Sequence, residues 1–132
     1  MKLEEVREIL NCRVIGGGDK LDQEIEVGCG ADLMSDVLAF IKPNALLLTG
    51  LTNVQSVRTA NVADVKAIVY VRGKIPDPDA VAVAQEEGIV LLATNLPLYE
   101  SCGRLYARGL PGGSERAEGL SDVQRAGVLS TL

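Results

Sequence analysis

Apolar residues along this chain change their spacing in a regular way. Between Lys2 and Leu10 they fall at Leu3, Val6 and Leu10, one face of a helix. Arg13–Gly16 reads as a short strand around Val14 and Ile15, running into the turn-forming sequence Gly16-Gly17-Gly18-Asp19. From Glu24 to Gly28 polar and apolar residues alternate, with Ile25 and Val27 on one side, which predicts a half-buried strand. Cys29-Gly30-Ala31-Asp32 follows as a tight connection, and a helix is expected from Leu33 to about Ile41. Asp32 is placed to cap that helix, and Pro43-Asn44 ends it.

Three runs of strand length then stand out because they are apolar almost throughout: Ala45–Thr49, Ala67–Val71 and Ile89–Ala93. Helical spacing returns between them. Val54, Val57, Val62 and Val65 follow helical spacing, and a further helix opens at Asp77-Pro78 and closes at Gly88. A last helix has Pro97 near its start and Gly109 past its end. Continuous apolar strands alternating with helices predict right-handed β-α-β crossovers. The expected fold is therefore α/β, a mostly parallel sheet of about four to five strands flanked by helices, with the two N-terminal strands extending the sheet or flanking its edge. No internal repeat is present.

The periodic pattern stops near Gly109. Beyond it, Pro111-Gly112-Gly113-Ser114 resembles a linker, and Gly, Ser and charge then outweigh apolar residues. The expected organisation is one α/β domain over residues 1–109 and a flexible tail over 110–132, in which Ser121–Leu129 has the makings of a short docking helix.

Composition narrows the chemistry. Aromatic residues make up only 3% of the 132 residues, so Val, Leu, Ile and Ala must fill the core. The net charge of −5 and the scattering of Lys and Arg leave no basic patch, which argues against a nucleic-acid partner. No stretch reaches the roughly 20 apolar residues of a membrane span. The first residues are acidic where an export signal would be basic, so a cytoplasmic location is expected. Cys12, Cys29 and Cys102 are isolated, with no C-x-x-C and no histidine to complete a metal site or a Cys/His pair. They read as packed thiols, and no metal or cofactor is expected. The absence of histidine also removes the usual general base near neutral pH, and no catalytic residue is assigned.

In an open parallel sheet, ligands bind beyond the carboxyl ends of the strands. The loops there offer Gly50, Thr52 and Asn53, then Arg72, Gly73 and Lys74, then Thr94 and Asn95. Hydroxyls, an amide, two cations and free helix N-terminal N–H groups suit a small anion, a phosphate or a carboxylate. Each residue also has a plain structural role, as a cap, a turn or a solvated charge. Their convergence on one rim is what favours binding. The Gly16-Gly17-Gly18 run matches no phosphate-loop pattern and reads as a turn. Asp32 and Asp36 share a helix face, but without further ligands they read as a cap and a solvated charge.

The order of elements, with Leu46-Leu47-Leu48-Thr49-Gly50, the Val54–Val65 helix, Ala67–Val71 and Ile89–Thr94, resembles the DRTGG domain over about residues 1–109. Gly30–Leu38 and Cys102-Gly103-Arg104-Leu105-Tyr106 look like free-standing members of that family. The chain departs at the name-giving motif: Thr52-Asn53 stands in place of Asp-Arg, and Arg72-Gly73-Lys74 in place of Thr-Gly-Gly. The resemblance implies a fold similar to the N-terminal domain of HPr kinase/phosphorylase and a regulatory or accessory role, with catalysis in other domains of larger members.

Three functions follow as expectations. The first is a regulatory module that senses a small anionic metabolite or nucleotide and acts as a homo-oligomer. The second is a protein-interaction adaptor for a kinase, phosphatase or hydrogenase-type redox complex. The third is a small enzyme built on Cys102 or an aspartate pair.

Overall fold

The computed structural model describes residues 1–116. The expected tail beyond Arg116, with its Ser121–Leu129 segment, lies outside the described residues. The described chain is an α/β fold with a five-stranded, mostly parallel sheet and five α-helices. In chain order these are α1 (Leu3–Leu10), β1 (Arg13–Gly16), β2 (Val27–Gly30), α2 (Met34–Phe40), β3 (Ala45–Thr49), α3 (Val54–Val62), β4 (Ala67–Tyr70), α4 (Pro78–Glu87), β5 (Val90–Ala93) and α5 (Leu98–Ala107).

The sheet order is β1-β5-β4-β3-β2. Strands β2 to β5 are parallel and lie in sequence order, each step taken through one helix. Crossovers of one hand that always step in one direction put their helices on one face. Accordingly, α2, α3 and α4 pack against Leu47, Ile68, Tyr70 and Leu91. The opposite face carries Leu46, Leu48, Val69, Val90 and Leu92, and it is covered by α1 and α5 through Leu3, Val6, Leu10 and Leu105. The near-continuous apolar runs of β3, β4 and β5 thus serve two cores at once. Each buried Leu or Ile there contributes about 1.5–3 kcal/mol.

Strand β1 joins the far edge antiparallel to β5, with Arg13 opposite Ala93. Gly17 follows with φ 79, and a Cβ there would come within 3.0 Å of Val90, so both conformation and space require glycine.

Several boundaries differ from the sequence pattern. The second strand is Val27–Gly30 rather than Glu24–Gly28, because its ladder with β3 pairs Val27 with Ala45 and Gly30 with Leu48. Ile25 is still buried, ahead of the strand. The second helix starts at Met34 after an extended Leu33, and no side chain caps it, so Asp32 is not its N-cap. The third helix ends at Val62, and Asp64, with φ 58, turns the chain so that Val65 still reaches the core. Packed chain also continues past Gly109. Leu110 is buried, the Pro111 carbonyl accepts a hydrogen bond from Gly28 N–H at 2.9 Å, and Gly112 bridges to Gly28. No helix among the described residues is long and apolar enough to cross a membrane.

Candidate ligand-binding rim

Because β2 to β5 are parallel, their carboxyl ends open on one side of the sheet, and β1, antiparallel, begins there. Strand β3 ends at Thr49 and the chain turns at buried Gly50. Asp32 lies two residues past β2, held by a hydrogen bond from Ala31 N–H to the Leu48 carbonyl at 3.0 Å. Its Oδ1 accepts from Gly50 N–H at 2.7 Å and from Thr49 Oγ1 at 3.0 Å. Thr49 Oγ1 in turn accepts from Leu51 N–H at 3.1 Å. The Gly50 bond, the Thr49 hydroxyl and the charges of Arg72 and Lys74 hold the Asp32 carboxyl below the usual carboxylate range, against desolvation that pulls the other way.

The cations come from the loop after β4. Arg72 and Gly73 are both left-handed, with φ 60 and φ 70. The arginine conformation costs about 1 kcal/mol. Hydrogen bonds from Arg72 N–H to the Leu96 carbonyl and from Gly73 N–H to the Thr94 carbonyl, both 2.9 Å, hold it in place. This turn sends the Arg72 guanidinium back over Gly50, where a Cβ would come within 2.8 Å of Nη2. Lys74 Nζ donates to the Gly50 carbonyl at 3.2 Å. One residue therefore meets a carboxylate at its N–H, an ammonium at its carbonyl and a guanidinium above its α-carbon. Both cations are exposed.

The remaining rim residues divide. Asn95 is exposed, and its Oδ1 sits 3.2 Å from where a Gly73 Cβ would be. With Asn11, Arg13, Ile75 and Thr94, these two line a cleft of about 400 Å³. The Thr94 hydroxyl is buried, donates to the Leu10 carbonyl at 2.7 Å and accepts from Leu96 N–H at 3.3 Å, joining α1 to β5. Thr52 and Asn53 belong to the joint at the start of α3. The Thr52 carbonyl accepts from Asp77 N–H at 3.0 Å, and Asn53 caps α3 without a side-chain bond. The Asn53 carbonyl accepts from Ser56 Oγ at 2.8 Å, and that hydroxyl meets the buried Tyr70 hydroxyl at 2.9 Å.

Asp32, Asn11 and Arg13 are rim residues that the sequence pattern did not supply, whereas Thr49 stood in the first of its strand-end loops. The signal for Asp32 was available, since the strand-end rule applies to β2 as well. Ending that strand at Gly28 hid it.

Other chemistry is sparse. Among the described residues no group of three or more His, Cys, Asp or Glu is placed to hold a metal ion. Burial pushes the Cys12 thiol up to about 12. Burial also raises Cys29 and Cys102, so none is poised as a thiolate at neutral pH. A larger groove of about 640 Å³ with apolar walls lies between β2 and α5.

Among solved structures, the chain is similar to the CBS and DRTGG domains of the regulatory region of Clostridium perfringens pyrophosphatase, crystallised with the activator diadenosine tetraphosphate. The TM-score is 0.63 at 13% identity, over 98% of this chain and 59% of that one. The likeness is one of fold, and the present chain spans little more than half of that structure. No family model matches the chain, and no curated protein does.

Proposed function

We propose that this chain is a regulatory domain of the DRTGG type that binds a small anionic metabolite or nucleotide at the carboxyl ends of β3, β4 and β5 and performs no chemistry of its own. The observation that carries this reading is the anion site around Gly50. Its N–H and the Thr49 hydroxyl already hold a carboxylate, that of Asp32, and two exposed cations, Arg72 and Lys74, lie against the same glycine. Arg72 presents donors in a planar fork that matches phosphate oxygens, and Lys74 adds a point charge. The same loop contributes Gly73 and Ile75 to the Gly73–Asn95 cleft, whose volume lies within the range of small-ligand sites. The regulatory region of similar fold was crystallised with a polyphosphorylated nucleotide, which makes that class the first to test. The lack of histidine and the raised thiols support a binding role over a catalytic one.

Thermal-shift and calorimetric titrations with diadenosine tetraphosphate, ATP, AMP and inorganic phosphate test it. A ligand at 100 times its Kd adds about 2.7 kcal/mol to stability, an easily read shift in Tm. Replacing Arg72 by Ala is expected to weaken binding by about 10- to 100-fold, the value of a hydrogen bond to a charged group. No shift with any of the four at millimolar concentration would sink the proposal.

A further inference from the structure

Eight large hydrophobic side chains are exposed among the described residues, and five of them, Leu33, Leu38, Phe40, Tyr99 and Tyr106, lie in or beside the two helices that flank β2. The outer face of α5 carries Tyr99, 88% exposed, then Gly103 and Tyr106 at helical spacing, with Glu100 and Arg104 alongside, all exposed. Gly103 is unexplained by the fold around it. It sits mid-helix with ordinary φ, and a Cβ there would meet nothing within 4 Å. Glycine is unfavourable in a helix interior, and its use at an exposed site suits the close approach of another backbone.

The segment Tyr99-Glu100-Ser101-Cys102-Gly103-Arg104-Leu105-Tyr106 reads with opposite charges but like aromatics from its two ends. Two such helices crossing antiparallel near Gly103 would set Glu100 of each against Arg104 of the other, and Tyr99 against Tyr106. Among the described residues neither charge is engaged in an ion pair. We infer that this face of α5, with the adjoining β2 edge, is an isologous interface for a second copy of the chain. A ten-residue helix, about 15 Å long, is too small to supply the roughly 800 Å² per partner of a standard interface. The apolar groove beside α5, floored by Gly28 and Gly30, and Phe40 across the β2 edge extend the face.

Sedimentation velocity on the full 132-residue chain, across micromolar to millimolar concentration, tests the proposal. A concentration-dependent dimer is expected. Gly103→Leu should not lower the circular dichroism melt of the monomer and should raise the dimer Kd at least 10-fold. Glu100→Arg and Arg104→Glu should each weaken the dimer, and the double exchange should restore it, which general loss of structure would not do. A dimer that ignores all these changes places the interface elsewhere and overturns the proposal. A chain that stays monomeric overturns it too, and leaves this face to another protein or to residues 117–132.

Discussion

Asp32 accepts the Gly50 N–H, so under the proposed function an incoming anion would have to compete with its carboxylate. Asp32→Asn keeps an acceptor oxygen and removes one negative charge. Inorganic phosphate is expected to bind the variant several-fold more tightly in calorimetry. Weaker binding would mean that the carboxylate itself holds the ligand. The effect has a definite pH window. Because the folded pKa is depressed, the carboxylate contributes stability that is fully present above its unfolded value near ~4 and is lost as pH falls through the lower folded value. The stability gap between the native chain and Asp32→Asn, read from urea midpoints, should therefore be constant near neutrality and close below about pH 4. Arg72 and Lys74 were legible as candidates because a cationic loop after an apolar strand is a local pattern. The bond from Gly50 to Asp32 spans 18 residues and two strands, and only the folded register creates it.

Strand β2 reads Val-Gly-Cys-Gly, a poor strand by propensity, and its glycines led the pattern to end it early. The folded chain supplies their reason. A Cβ on Gly30 would come within 2.7 Å of Cys102 Sγ and 3.3 Å of Leu98, and one on Gly28 within 3.1 Å of Leu110. The glycines let α5 and the residues after it lie directly on the strand. Gly30→Ala should therefore destabilise the domain by about 1–3 kcal/mol in urea unfolding. Gly103→Ala, tested at concentrations where the chain is monomeric, should stabilise it by roughly 0.5–1 kcal/mol. Equal effects of opposite glycines would contradict this account of α5. The central strands needed no such context, because uninterrupted runs such as Leu46-Leu47-Leu48 are buried on both sides whatever their neighbours.

At the scale of the molecule, the three long apolar runs and the helices between them were enough to specify an α/β fold with a parallel sheet. The placement of β1 was not. Four residues with one irregularity in their pairing carry no local mark of the edge they join or of their direction. Those are fixed by α1, which covers the same face as α5, and by the Thr94 hydroxyl on the Leu10 carbonyl, a bond spanning 84 residues. That closure has a consequence for a chain made from its N-terminus on a ribosome. The units β2-α2-β3, β3-α3-β4 and β4-α4-β5 can add one after another as they leave the exit tunnel. The first segment synthesised has no strand to join until nearly the last has emerged. In a translation-arrest force assay, the last rise in tension should come when Thr94 clears the tunnel, and Thr94→Val should blunt that final rise. An unchanged final rise in Thr94→Val would show that the N-terminal segment finds its place without this bond.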